Sequence, residues 1–426
     1  MSKLERYKHI NEPVAIPTEM TALILSGKGF ENLQLKSVPV PQPNDNQFLA
    51  RVDACFGCAS DGKFIDNGNE HTLLNGWDLE RWPVSIGHEG CITAVKVGKN
   101  LQDTIKVGNT FAIQPAIKTG PINHRERYKN NGEGIDRIAI GYSLGGLFAE
   151  YILITEEVIQ TRSIIPYNAA KVPYFAAAFA ESISCVYSAQ NHVPHIYKKS
   201  LYESRTVQLG LKRGGVTLIL GAGSMGIMHA DLGMHYQPRQ IIISEPIEIR
   251  REQARQILTE KAKRLKIELI ITEPTHLPEL LKSVNNGNGV DDCIVSLSIG
   301  KVQETAIQYL APYGVANFFG GTKPEESRLT VDARRIHYDS VSMVGSSGGD
   351  PSDVVAVMEL MEKGVVSPDR YIKRVGGLDQ AFNLAQSIKN QDFFGKGLIY
   401  PQVRTDLRVV DSWMASDERN FLENKL

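Results

Sequence analysis

Two rhythms of apolar residues divide the chain. Over the first third, short segments alternate or cluster aliphatic and β-branched residues: TALILS (21–26), NLQLKSV (32–38), FLARVDA (48–54), CITAVKV (91–97) and FAEYILI (148–154). Gly, Pro and Asn separate them, as in VPVPQPNDNQ and KVGN, and this spacing predicts a small β-barrel or sandwich. From about residue 170 the period changes. An alanine-rich helical stretch begins at Pro173, and apolar runs follow at 216–220, 241–243, 267–271, 292–297, 315–319 and 341–344. Helical patterns such as SEPIEIRREQARQILTEKAKRLK and KVQETAIQYLAPYG lie between them. Strands alternating with helices predict parallel βαβ units in a doubly wound sheet. A further helix, VVAVMELMEKG, and mixed segments ending in GKGLIYPQ lead to a polar, charged end, expected as a surface tail or helix.

Composition narrows the class. A length of 426 residues suits two or three domains with real cores. The net charge of −1 gives no global field for nucleic acid or an anionic membrane, so neither is an expected partner. Cys55, Cys58, Cys91, Cys185 and Cys293 are odd in number and irregular in spacing, which favours a reducing, cytoplasmic setting over a disulfide framework. The N-terminal residues carry no apolar signal-like core, and no segment approaches 18 uninterrupted apolar residues.

The strand pattern Val216–Leu220 runs into Gly221-Ala-Gly223-Ser224-Met225-Gly226 and then a helix. In such a turn the first glycine permits the tight bend, the second lets backbone approach a pyrophosphate, and the third lets helix and strand pack closely. The helix N-terminus then offers free N–H groups to the phosphates. Glu245 follows the strand QIIIS, 24 residues after Gly221, where a carboxylate accepts from ribose hydroxyls and repels a 2′-phosphate. NAD(H) is therefore favoured; Arg250 and Arg251, just downstream, keep NADP(H) as the alternative.

A second constellation lies in the β-rich part. FGCASDGK holds Cys58, and SIGHEGCI holds His88 and Glu89 at the start of an apolar strand. A lone cysteine is more often a small core residue than a ligand. Paired with a histidine in a neighbouring β segment ahead of a dinucleotide fold, it becomes a metal candidate. A catalytic zinc needs three protein ligands and an open position. Glu181, the one carboxylate in AAAFAESISCVYSA, is the leading third ligand and Cys185 its rival; a hydrogen-bonded glutamate is the bland alternative.

With these motifs in hand, residues 20 to 402 resemble the zinc-type medium-chain dehydrogenases/reductases, polyol branch. The resemblance implies a GroES-like catalytic domain (1–171), a Rossmann domain (172–345) and a C-terminal return to the catalytic domain (346–426). It implies a zinc on Cys58, His88 and Glu181, with Ser60 as proton relay. Glu89 is cast as orienting His88 or transiently meeting the metal. Gly221, Gly223, Ser224, Met225, Gly226 and Glu245 would hold the cofactor, Lys396 would sit near its pyrophosphate, and Cys185 would line the nicotinamide pocket. The segment KTGPINHRERYKNNGEGIDRIAIGYSLGG lacks the four cysteines of the family's structural zinc lobe, so one catalytic zinc and no structural zinc is expected. Ser182 stands where polyol-branch members commonly have proline, and Lys63 where a relay histidine is common. Lys63 is thus expected to meet ribose or an anionic substrate.

The insert between Cys58 and His88, the segment NHVPHIYKKSLYESRTVQLGLKRGG and the run ending SVSMVGSSGG resemble the L-sorbose 1-phosphate reductase group. That implies interconversion of L-sorbose 1-phosphate and D-glucitol 6-phosphate, against an unphosphorylated polyol or alcohol dehydrogenase, or a non-catalytic NAD(P)-binding sensor. Lys63, Arg125, Arg127, Arg334, Arg335 and His337 are the candidate phosphate cations. The resemblance also implies a homo-dimer or homo-tetramer, with the edge near SVSMVG as an interface.

Overall fold

The computed structural model describes residues 3–8, 10, 15–118 and 121–426. The chain forms two compact units: Met1–Ser182 together with Asp350–Leu426, and Ile183–Gly349. Among the described residues no helix is long and apolar enough to cross a membrane.

The first unit is built on an eight-stranded sheet. Its strands run in the order Ile164–Tyr167, Thr110–Ile113, Glu89–Val97, Phe48–Gly57, Lys396–Tyr400, Ile372–Gly377 and Arg408–Val409, with Tyr151–Ile154 also paired to Phe48–Gly57. A three-stranded sheet, Leu33–Pro39, Glu19–Leu25 and Val84–Ser85, accompanies it. The central strand Phe48–Gly57 is buried at every position. Its two charges survive there because they satisfy each other: Arg51 Nε donates to Asp53 Oδ1 at 2.7 Å, and Thr93 Oγ1 donates to Asp53 Oδ2 at 2.5 Å. Leu23, Phe48, Ile92, Phe148, Leu384 and Ile399 belong to one core, so the returning C-terminal segment completes the packing of the first domain.

The polar C-terminal stretch is the helix Ala415–Lys425, and it is docked rather than surrounded by water, with Glu418, Phe421 and Leu422 buried. Glu418 accepts the backbone N–H groups of Tyr174 (3.0 Å) and Phe175 (2.8 Å), the first turn of the helix Tyr174–Asn191, and the Tyr400 hydroxyl at 2.9 Å. Burial outweighs these bonds and pushes its carboxyl up to about 7.

The second unit is a six-stranded parallel sheet ordered Glu268–Thr272, Gln240–Ser244, Val216–Leu220, Val290–Val295, Leu310–Phe318 and Ser342–Gly345. Every apolar run expected as a strand in this half is one. The order reverses beside Val216–Leu220, and such switch points form ligand crevices at the carboxyl ends of the strands. A two-stranded hairpin, Pro194–Tyr197 and Thr206–Leu209, precedes the sheet.

Candidate metal centre and dinucleotide turn

Strand geometry brings the metal candidates together. Phe48–Gly57 and Glu89–Val97 are antiparallel neighbours in which Phe56 faces Glu89, so the residues just beyond that pair, Cys58 and His88, share one end of the sheet. Cys58 keeps an extended backbone and caps the helix Ala59–Asn67. His88 follows Gly87, whose φ of +97° and tight fit against Phe148 and Cys55 leave no room for a side chain. The Cys58 sulfur, a ring nitrogen of His88 and a carboxylate oxygen of Glu89 all lie within 4.8 Å of one another.

Asp61, assigned no role from the sequence, organises this trio. Its Oδ2 accepts the Cys58 backbone N–H at 2.9 Å, and its Oδ1 lies 2.9 Å from His88 Nδ1. With Nδ1–H donated to Asp61, the His88 lone pair is on Nε2. Glu89 is buried, and Lys396 Nζ stands 2.5 Å from its Oε2. Burial would raise Glu89, but Lys396 and His88 hold it below the ordinary carboxylate range. The short Lys396 contact is a buried ion pair, so Oε2 is held by the Lys396 ammonium. Burial opposes the Lys396 charge, and Glu89 nevertheless holds it above the ordinary lysine value. The Cys58 thiol donates to Ser60 Oγ at 3.6 Å. Tyr142, also missed, lies 5.6 Å from the His88 ring and stacks on His71 at 5.0 Å.

The other expected residues distribute unevenly. Glu181 is buried on its helix outside the 4.8 Å trio, close enough for its charge to act on Lys396 and Tyr142. Cys185 is half-buried one turn later and belongs to the second unit. Lys63 is exposed on the helix Ala59–Asn67, and Lys396, expected at a pyrophosphate, is turned to Glu89. The remaining candidate phosphate cations each have a local partner. Arg125 Nε donates to Asn131 O, Arg127 lies over Trp77 at 5.1 Å, Arg334 lies over Tyr338, Arg335 pairs with Asp339, and His337 packs edge-on to Tyr338.

In the second unit the glycine turn has the predicted logic. Gly221 has φ +101°, and a Cβ on Gly226 would stand 2.0 Å from the Gly221 carbonyl oxygen. A Cβ on Gly223 would meet nothing within 4 Å, so that glycine faces the open space a pyrophosphate needs. Ser224 and Met225 open the helix Ser224–Gly233 behind it. Glu245 is buried; its Oε2 accepts Ala222 N–H at 2.8 Å and its Oε1 accepts Ile247 N–H at 3.0 Å. The acid thus braces the turn, and each oxygen keeps a lone pair for a ribose hydroxyl. Arg250 lies 3.9 Å from it, and Arg251 donates to the Glu245 and Pro246 carbonyls.

Comparisons with known proteins agree with this division. Residues 44–163 match the alcohol dehydrogenase GroES-like domain, and residues 223–363 match the zinc-binding dehydrogenase family. Mannitol-1-phosphate 5-dehydrogenase of Aliivibrio fischeri is 30% identical over 413 residues, covering 95% of this chain and 92% of that protein. L-sorbose 1-phosphate reductase of Klebsiella pneumoniae is 27% identical over 368 residues, covering 85% and 83%. The crystal structure of 2R,3R-butanediol dehydrogenase from Bacillus subtilis has the same fold, with a TM-score of 0.70 at 19% identity over 90% of this chain and 99% of that one.

Proposed function

The chain belongs to the medium-chain dehydrogenase/reductase family of zinc-binding, NAD(P)-dependent oxidoreductases, and on that premise we propose that its substrate pair is a phosphorylated ketose and the corresponding polyol phosphate. Within that class the finer reading is reduction of L-sorbose 1-phosphate to D-glucitol 6-phosphate with NADH. The names of two long relatives, one a mannitol-1-phosphate and one a sorbose 1-phosphate enzyme, support the phosphorylated class.

The observation that carries the redox reading is the convergent Cys58–His88–Glu89 set. It fits zinc on its own chemistry: one thiol, one imidazole whose Nε2 is left free by the Asp61 bond, and one buried carboxylate. A zinc bound by these residues supplies Lewis-acid polarisation of the substrate oxygen. Asp61 fixes both the His88 tautomer and the Cys58 backbone, so the ligand geometry is set before metal arrives. Lys396 keeps Glu89 ionised and hence able to ligate. The Ser60 hydroxyl, beside Cys58, is the group placed to hand a proton at Oγ to the substrate oxygen. The glycine turn and Glu245 hold the dinucleotide. Lys63, exposed at the start of the same helix as Ser60, is our choice for the substrate phosphate. Five free thiols support a reducing, cytoplasmic setting.

A substrate panel tests this. L-sorbose 1-phosphate, mannitol 1-phosphate and their unphosphorylated counterparts are compared with NAD(H) and NADP(H), alongside the zinc content of the protein. Phosphorylated substrates should win on kcat/KM, and Lys63→Ala should raise KM for them alone. Equal turnover of both sets removes the phosphate; full activity in zinc-free protein removes the metal.

A further inference from the structure

The hairpin formed by Pro194–Tyr197 and Thr206–Leu209 has no part in the chemistry above. Side chains alternate across a strand, so its two faces differ. On one face His195 is buried, with Nε2 2.8 Å from Asp292 Oδ1, while Asp292 Oδ2 accepts the Lys212 backbone N–H at 2.9 Å. These contacts pin the hairpin to the parallel sheet of its own unit. The opposite face pairs Ile196 with Val207 and Pro194 with Leu209 across the strands. Ile196, Val207 and Leu209 are 61%, 62% and 59% exposed, and at the tip Leu201 and Tyr202 reach 83% and 97%. Five of the seventeen exposed large hydrophobic residues among the described residues therefore fall between positions 196 and 209. All four residues of Thr206–Leu209 are exposed, and its outer edge has no partner strand among the described residues.

We propose that this hairpin is a self-association arm whose apolar face packs against the same face of a second copy of the chain. The five side chains, three on this face and two at the tip, together offer on the order of 600 Å² of apolar surface, at the upper limit of what a monomer leaves bare. Two such arms, face and tip together, cover on the order of 1,200 Å², which reaches the lower end of stable, specific interfaces. A two-fold contact must be complementary to itself, and this face is. Its two rows, Pro194 with Ile196 and Leu209 with Val207, run antiparallel, so a rotated copy presents matching rows. The tip mixes Lys199 and Arg205 with Glu203, which lets opposite charges meet across the axis. Because His195 and Asp292 already fix the hairpin, little ordering is lost on association.

Sedimentation of the full chain at micromolar concentration tests the arm. The wild type should exceed monomer mass, and Val207→Asp with Leu209→Asp should weaken association by about a hundredfold or more. Both side chains are exposed, so thermal unfolding and NAD(H) binding should stay unchanged. In a second arm, Val207→Cys should yield a disulfide-linked dimer under mild oxidation that the wild type does not form. A monomeric wild type, an unchanged mass in the double variant, or no cross-link from Cys at 207 overturns the proposal. So does a monomer that sediments with anionic phosphatidylserine vesicles, which would make the tip a lipid contact.

Discussion

Replacing Asp61 by asparagine tests whether the buried carboxylate, rather than the ligands alone, sets the metal centre. Asparagine keeps the shape but offers one acceptor oxygen and one NH2 group. The native carboxylate meets two donors, Cys58 N–H at 2.9 Å and His88 Nδ1–H at 2.9 Å. One of them must therefore face the NH2. If it is His88, the ring moves its proton to Nε2 and loses the lone pair there. If it is Cys58, the first turn of the helix Ala59–Asn67 loses its cap and the sulfur shifts. Either way one hydrogen bond to a charged group is lost, about 1.5–3 kcal/mol. Loss of a residue that orients a metal ligand typically lowers affinity about 10–100-fold. We expect zinc affinity to fall within that range, measured by competition with a chromogenic chelator. Denaturant unfolding of the metal-free protein should show a loss of about 1–3 kcal/mol, the cost of an unmet buried donor. Wild-type zinc affinity in Asp61→Asn, with unchanged unfolding, would refute the orienting role.

Lys396→Met should leave Glu89 charged and alone in the core, costing about 3–5 kcal/mol in urea unfolding, and Glu89→Gln added to it should recover most of that loss. Glu245→Gln should weaken NAD(H) about tenfold in a fluorescence titration while NADP(H) binding falls less, because the repelling charge is gone but the Ala222 bond can persist. Cys58→Ala should abolish stoichiometric zinc and activity together, while NAD(H) binding, a property of the other unit, is retained. Glu418 gives a pH prediction: its folded pKa, about 7, lies above its ordinary 4.5, so the stability it contributes is full below pH 4.5 and fades as pH rises through 7. The stability difference between wild type and Glu418→Gln should therefore move against the wild type by about 3 kcal/mol between pH 5 and 8, and a flat difference would contradict the burial argument.

The parallel sheet was legible because its inner strands are buried on both faces and read as unbroken aliphatic runs, as at Val216–Leu220 and Gln240–Ser244. The glycine turn was legible for a related reason: Gly221 and Gly226 there answer steric demands that no other residue meets. The order of strands in the first unit was not legible. Lys396–Tyr400 pairs with Phe48–Gly57 across more than three hundred residues, and no local pattern encodes that choice. At the metal centre the motifs pointed to Cys58 and His88, and the resemblance gave the third place to Glu181 with Glu89 orienting His88 or transiently meeting the metal. His88 precedes the strand, on the bend made by Gly87, and Glu89 is the first strand residue, so both reach the Cys58 sulfur.

What the sequence concealed is mostly the second member of a buried pair. FLARVDA reads as a short strand carrying two charges, and Arg51 and Asp53 are both inside, answering each other and Thr93. Glu418 reads as one more charge on a polar helix, yet it caps a helix that begins at Tyr174. Lys396 reads as a cofactor cation, yet it holds Glu89. The residue's type was visible in each case, and Thr93, Tyr174 and Glu89, which complete these groups, lie tens to hundreds of positions away. Burying a charge alone is expensive, so each of these residues demands a partner. A charge inside an apolar run is therefore evidence of long-range pairing before it is evidence of solvent. By that reasoning Glu181, the carboxylate of AAAFAESISCVYSA, belongs with the cations of its own unit, and its charge acts on Lys396. Glu89, Lys396 and Glu181 then form one electrostatic group beside Cys58 and His88, which is why a change at any one of the three should be felt at the metal.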